Sequence, residues 1–194
     1  SGGSIDGVCR VTGFTSSTIV AVEVIEDFGA TTATTDWYEG EWSDRRGWPS
    51  AVRIYDGRMW WTGKDQIHGS VSDAYYSFDD TTKGDSGPLN RTIGSGPVDT
   101  INWILDLERM VLGGQGAEFS VHSSSLDEPL TPTNFQIKPA STQGSAGVDA
   151  QRIDSNGVYV QRGGTRVYEL TLGDSSFTYS STHLTALCPE VCQP

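Results

Sequence analysis

The chain has 194 residues, with 25 acidic side chains against 13 lysines and arginines and a formal net charge of −12. Such a surface repels phosphate, which argues against high-affinity nucleic-acid binding and favours solubility. No run approaches the roughly 18 consecutive apolar residues of a transmembrane helix, so no membrane span is expected.

Read from its start, the chain opens on Ser1-Gly2-Gly3-Ser4, which has the composition of a linker and not of a secretion signal. Val8-Cys9-Arg10-Val11 and the stretch Ser17 to Ile25 then have strand character, the latter rich in β-branched residues. Thr31 to Thr35 is polar and leads to Trp37-Tyr38 and Trp42, so residues 1–43 form a small β segment followed by a linker. From residue 44 onward the pattern changes.

Residues 44–194 carry an internal repeat. Gly63, Gly113 and Gly163 stand 50 residues apart, and so do Asp56, Asp106 and Asn156. The first unit runs Ala51 to Tyr55, turns at Asp56-Gly57, and continues Arg58-Met59-Trp60-Trp61 to Gly63. The second runs Ile101 to Leu105, turns at Asp106, and continues Arg109 to Leu112 before Gly113-Gly114. The third runs Gln151 to Ile153, turns across Asp154 to Gly157, and continues Val158 to Gln161 before Gly163-Gly164. A further apolar stretch follows each glycine: Gln66 to Val71, Ala117 to Val121, and Thr165 to Leu170. Asp-Gly and Asn-Gly supply the positive φ of tight hairpins, and the three glycines are expected to hold equivalent positive-φ turns. A strand–turn–strand–glycine–strand unit of this length is the signature of propeller blades. The fold expected is all-β: a partial β-propeller of about three repeats, with a β-sandwich as the alternative. In isolation Trp103 to Leu112 also fits a helix, and only the repeat makes it a hairpin. Three blades do not close a propeller. Asp79 to Pro97 reads as a turn-rich insertion, and Ser123 to Pro132 as a second loop of the kind that makes contacts.

Candidate chemistry is sparse. Gly84-Asp85-Ser86-Gly87-Pro88 has the form of a serine-protease nucleophile segment, but the only upstream histidine is His68, and His122 and His183 follow the serine. An ordinary surface loop explains the segment better. Glu39, Glu41 and Asp44 lie among aromatics without forming a defined pair of the glycosidase kind, and Asp79-Asp80 lacks calcium-loop spacing. Trp60 and Trp61 are adjacent and must face opposite sides of a strand, so one is core and the other a packing or sugar-platform residue. Cys9, Cys188 and Cys192 form no zinc pattern and read as free thiols of a reducing cytosol, with a Cys188–Cys192 bridge as the alternative. No catalytic, cofactor-binding or metal-ligating residue is assigned, and no cofactor is expected.

Several segments together resemble a known family. Trp42-Ser43-Asp44-Arg45-Arg46-Gly47-Trp48-Pro49 with Asp56-Gly57-Arg58-Met59-Trp60-Trp61-Thr62-Gly63 is similar to the opening propeller segment of podophage tail nozzle proteins (tail tubular protein B and relatives). Ile67-His68-Gly69-Ser70 through Phe78 and Ile101-Asn102-Trp103-Ile104 through Phe119 resemble its next units, and His183-Leu184 fits a later one loosely. The most specific piece is Gly157-Val158-Tyr159-Val160-Gln161-Arg162-Gly163-Gly164-Thr165-Arg166-Val167-Tyr168-Glu169-Leu170. The resemblance spans about residues 42–184, in order, and departs at 79–97 and at Cys188 and Cys192. It implies a structural virion protein and no enzyme: part of a six-fold homo-oligomeric ring below the portal and adaptor, assembled in the host cytoplasm. Tail fibres would dock on that ring and DNA would pass through it with weak non-specific contact. Family members are longer, so the chain resembles a portion of one. Acids of the inter-repeat loops, Asp79, Asp80, Asp85, Asp127 and Glu128, are candidates to line the channel. The alternative function is a carbohydrate-binding β-domain, which the tryptophans suggest.

Overall fold

A computed structural model describes residues 7–35, 37, 39–94, 100–125, 128–173 and 177–192. Tyr38, Pro97, Asp127 and the Ser1 to Ser4 segment, all singled out above, lie outside them. The fold is all-β, in two compact units, Ser1–Glu41 and Trp42–Pro194.

The first unit contains the hairpin β1 (Val8–Ser16) and β2 (Ile19–Glu26). Val11, Phe14, Ile19 and Ile25 are each more than half exposed. A two-stranded hairpin with so little burial is marginal by itself in water.

The second unit holds three four-stranded antiparallel sheets, each a simple meander. Sheet 1 comprises β3 (Ala51–Tyr55), β4 (Arg58–Gly63), β5 (Gln66–Gly69) and β6 (Leu89–Thr92). Sheet 2 comprises β7 (Ile101–Asp106), β8 (Met110–Gly114), β9 (Glu118–His122) and β10 (Gln136–Ser141). Sheet 3 comprises β11 (Gln151–Ile153), β12 (Asn156–Val160), β13 (Val167–Leu172) and β14 (Tyr179–His183). The first strands thus begin at residues 51, 101 and 151, in the register of the repeat. Trp103 to Leu112 is a hairpin. Each sheet also has a fourth strand beyond the expected three, and β6 lies inside the stretch read as an insertion.

The sheets pack face to face in sequence order. Trp60, Ile67 and Leu89 of sheet 1 share a core with Ile104, Met110, Leu112, Phe119 and Val121 of sheet 2. Trp103, Leu105 and Val111, on the opposite face of sheet 2, share a second core with Tyr159, Tyr168, Leu170 and Tyr179 of sheet 3. β7 serves both cores by alternation, Ile104 facing the first and Trp103 and Leu105 the second, and a bulge between Ile101 and Trp103 turns Ile101 to the first as well. Pro139 sits in β10, an edge strand, where its missing N–H costs least.

Polar contacts join the same layers. Arg53 Nε lies 3.0 Å from Asp106 Oδ1, and Ser50 Oγ donates to the Ile101 carbonyl, tying sheet 1 to sheet 2. Between sheets 2 and 3 the carboxylate of Glu118, fully buried, accepts from Ser145 Oγ at 2.7 Å and from Ser141 Oγ. Tyr159 Oη stands 3.1 Å from Ser181 Oγ in the same cluster, and burial pushes its pKa up to about 12. A buried carboxylate costs several kcal/mol unless its lone pairs are filled. Here serine hydroxyls fill them.

The expectation of equivalent positive-φ turns at Gly63, Gly113 and Gly163 is wrong. Among the described residues the glycines with positive φ are Gly47, Gly57, Gly84, Gly144 and Gly164. Asp56 and Gly57 form the first tight turn, at φ 51° and 69°. In the third repeat the turn is Asp154-Ser155, with Asp154 at φ 54°, and Asn156-Gly157 already belongs to β12. Gly63 and Gly113 lie in strands, and a tryptophan is what excludes a side chain there. A Cβ on Gly63 would stand 2.5 Å from the Trp42 ring, and one on Gly113 2.0 Å from the Trp103 ring. Gly163 meets only the end of the Gln161 side chain, at 3.3 Å.

The three glycines should therefore respond unequally to alanine. Gly113→Ala must displace a buried tryptophan and should cost about 2–4 kcal/mol, whereas Gly163→Ala should stay within about 1 kcal/mol. Urea unfolding of the two variants measures this, and equal losses would contradict the packing account.

Candidate interaction surface

The residues with a built environment outside the core lie between β5 and β6. The chain from Ser70 to Gly87 leaves sheet 1 and returns, and Arg58 of β4 holds it. Arg58 is 2% exposed and donates through Nη1 to the carbonyls of Ser70 and Gly87, the latter at 2.7 Å, and through Nη2 to that of Asp85. Desolvation pulls the Arg58 guanidinium below its ordinary pKa, and the nearby Asp56, Asp73 and Asp85 carboxylates oppose that shift. Arginine suits the position because its planar fork satisfies several carbonyls at once while keeping its charge.

Backbone bonds complete the loop. Asp73 N–H donates to Gly57 O at 2.8 Å, Val71 N–H to Ser77 O at 2.8 Å, and Ser72 N–H to Ser86 O at 3.0 Å. Asp73 adopts φ 59°, a left-handed conformation that aspartate tolerates. The result is a tied loop that displays Tyr75, Tyr76 and Phe78, with Tyr76 92% exposed.

This arrangement explains the protease-like segment. The carbonyls of Asp85 and Gly87 serve Arg58, that of Ser86 serves Ser72, and Gly84 takes φ 80° to make the bend. The histidines are engaged elsewhere. His68 is buried in β5 with its ring 5.0 Å from that of Trp42. His122 Nδ1 lies 2.6 Å from Ser123 O, and His183 stacks on Tyr168 at 4.9 Å.

The tryptophan pair divides as the alternation requires. Trp60 is fully buried, stacks on Phe135 at 5.8 Å and donates to Tyr55 O, so it is core and no sugar platform. Trp61, half-buried, lies on the opposite face. Glu39 and Glu41 are half-buried, and Asp44 accepts from Trp48 Nε1 at 3.0 Å.

The loop acids are exposed but organised. Asp79 accepts from Thr81 Oγ1 and N at 2.7 and 2.9 Å, which holds its carboxyl below the usual range. Glu128 is held low in the same way, by donation from Ser124 and Asn134 at 2.6 Å each. Asp85 accepts from Thr133 Oγ1 at 2.7 Å, and the Asp80 carbonyl accepts from Lys83 Nζ. Asp85 and Glu128 are thus held by neighbouring residues, Thr133 and Asn134. The stretch around Glu128 is in part a strap over sheet 1: Leu130 is buried in the first core and its N–H donates to Asp56 Oδ2 at 2.6 Å.

Cys9 and Cys188 carry free, exposed thiols. Among the described residues no cluster of three or more His, Cys, Asp or Glu is placed to hold a metal, and no helix is long and apolar enough to cross a membrane. Two shallow depressions, of about 300 and 310 Å³, lie beside Arg91 and Phe135 and beside Arg166 and His183. Sequence reasoning missed Arg58 and Glu118 as organising residues, since burial of either charge depends on partners distant in the chain. Comparison with protein-family models and with curated proteins finds no match.

Replacing Arg58 by methionine keeps the apolar stem but leaves three carbonyls unmatched. We expect a loss of roughly 2–4 kcal/mol and rapid proteolytic cleavage between residues 71 and 87. Limited proteolysis with mass mapping checks this, and an uncleaved loop would show that Arg58 does not hold it.

Proposed function

We propose that this chain is a structural component of a bacteriophage tail. In this reading it belongs to a nozzle or hub ring below the portal and adaptor, on which fibres dock and through which DNA passes. The observation that carries it is the ordered resemblance of residues 42–184 to tail nozzle proteins. The segments that carry the resemblance contribute strands and turns to the sheets. Trp42 meets the His68 ring edge-on and fills the space over Gly63. Gly157 to Leu170 supplies β12, a turn and β13.

The finer fold reading belongs to the same proposal. We read the three sheets as consecutive blades of an incomplete β-propeller, because their first strands adjoin: β3 lies against β7, and β7 against β11. Blades fan out from their innermost strands in this way. A net charge of −12 fits DNA that slides past with weak contact. The role is non-catalytic, and the protein acts in the virion.

The second reading, a carbohydrate-binding domain, now rests on the aromatic loop and not on Trp60. Exposed rings on a rigid loop offer faces on which sugars stack.

Electron microscopy of the chain mixed with the other tail proteins of its phage separates the two readings. We expect incorporation into a ring with an open channel. No incorporation, together with saturable glycan binding that Tyr76→Ala abolishes, would overturn the tail assignment.

A further inference from the structure

One depression in this acidic chain is lined by cationic groups and hydroxyls and by no carboxylate. It has a volume of about 310 Å³ and lies where the turn before β13 meets the end of β14, between Thr165, Arg166, His183, Thr185, Ala186 and Pro189. Against a net charge of −12, this is a place where an anion can approach.

Two of the groups that line it are fixed before anything binds. His183 pairs with Tyr168 across β13 and β14, and their rings stack at 4.9 Å, 12° from parallel. Tyr168 is buried in the second core, so the imidazole is anchored on that core. Thr185 Oγ1 accepts from Val167 N–H at 3.3 Å and stands 3.1 Å from His183 Nε2. A hydroxyl has one proton and two lone pairs. When Nε2 carries a proton and donates to the second lone pair, the Thr185 O–H is left for a ligand. Arg166 and Thr165 are the adaptable groups. Both are exposed, and Arg166 pairs with no carboxylate among the described residues. Ala186 and Pro189 add a small apolar surface.

We infer that this depression binds a small phosphate monoester of the size of a sugar phosphate. The guanidinium fork suits two phosphate oxygens at once, and the Thr165 and Thr185 hydroxyls serve the third. A carboxylate, with two oxygens, would leave those hydroxyls unused. Ala186 and Pro189 then meet the organic body of the ester. The volume stands at the lower end of the roughly 300–1,000 Å³ of small-molecule sites, which suits one phosphate with one ring. A longer polyanion would meet the negative surface around the site and be repelled. Anchoring of His183 and Thr185 lowers the ordering cost of binding. The inference goes beyond both functional readings above and depends on neither.

Amide NMR of the whole chain, titrated in turn with glucose 6-phosphate, inorganic phosphate, glucose and acetate, tests it. The ester should bind saturably, with shifts centred on residues 165–168 and 183–189. Arg166→Gln should weaken it about 10-fold or more and Thr165→Val about 3-fold, the effects of losing a charge-assisted and a neutral hydrogen bond. Both positions are exposed and outside the two cores, so the variants should keep the wild-type spectrum elsewhere. Inorganic phosphate should bind more weakly than the ester, for want of contact with Ala186 and Pro189, and glucose and acetate more weakly still. No saturable shift, shifts centred elsewhere, or binding that neither variant weakens would overturn the inference. So would glucose, acetate or inorganic phosphate binding as tightly as the ester. Failure here would leave the tail assignment to its own ring-assembly test.

Discussion

Sheet 2 is apolar on both faces, and that constraint organises the rest of the second unit. Ile104, Met110, Leu112, Phe119 and Val121 on one side and Trp103, Leu105 and Val111 on the other are all buried. A four-stranded sheet of this kind has no solvated face, so it is stable only between two others. Burial of a large apolar side chain contributes about 1.5–3 kcal/mol, so the two faces together supply the dominant stabilisation of the stack. The outer sheets meet that demand with one face each. Their remaining faces are mixed, with valine and isoleucine beside Gln66, Asn90, Gln151 and Glu169.

The polar groups inside this stack are placed where layers must be fixed relative to each other. Glu118 holds Ser141 and Ser145, and Ser141 in turn meets Tyr159 Oη of sheet 3 at 3.4 Å, while Arg53 with Asp106 sets sheet 1 on sheet 2. Arg58 does a different job, fixing a loop of one sheet against that sheet's own hairpin. Hydrophobic contact alone would permit sliding between flat apolar faces. Directional bonds to buried charges do not. The display of Tyr75, Tyr76 and Phe78 follows from the same device, because a loop tied by Arg58 presents its aromatic rings without paying for ordering when a partner arrives.

Much of this was legible in the chain. The first three strands of each sheet were readable because the 50-residue repeat extends the local signal of the Asp56-Gly57 turn to Asp106 and to the turn before Asn156, where local signals alone are ambiguous. The fourth strands were not. Leu89–Thr92 has one buried residue, Gln136–Ser141 contains a proline, and Tyr179–His183 is mostly polar, so each carries the pattern of an edge and not of a core strand. The requirement for glycine at 63 and 113 was visible while its cause was not. Sequence suggests positive φ, and only the fold shows Trp42 and Trp103 over those positions. The protease-like segment misled for the same reason, because its backbone and not its serine is what the structure uses.

Native-state hydrogen exchange tests the central place of sheet 2 most directly. The amides of Met110–Gly114 and Glu118–Val121 should exchange only through global unfolding, more slowly than those of β4 and β12, with the β1–β2 hairpin fastest of all. Exchange of β8 and β9 by local opening, while sheet 1 or sheet 3 stays protected, would contradict the account.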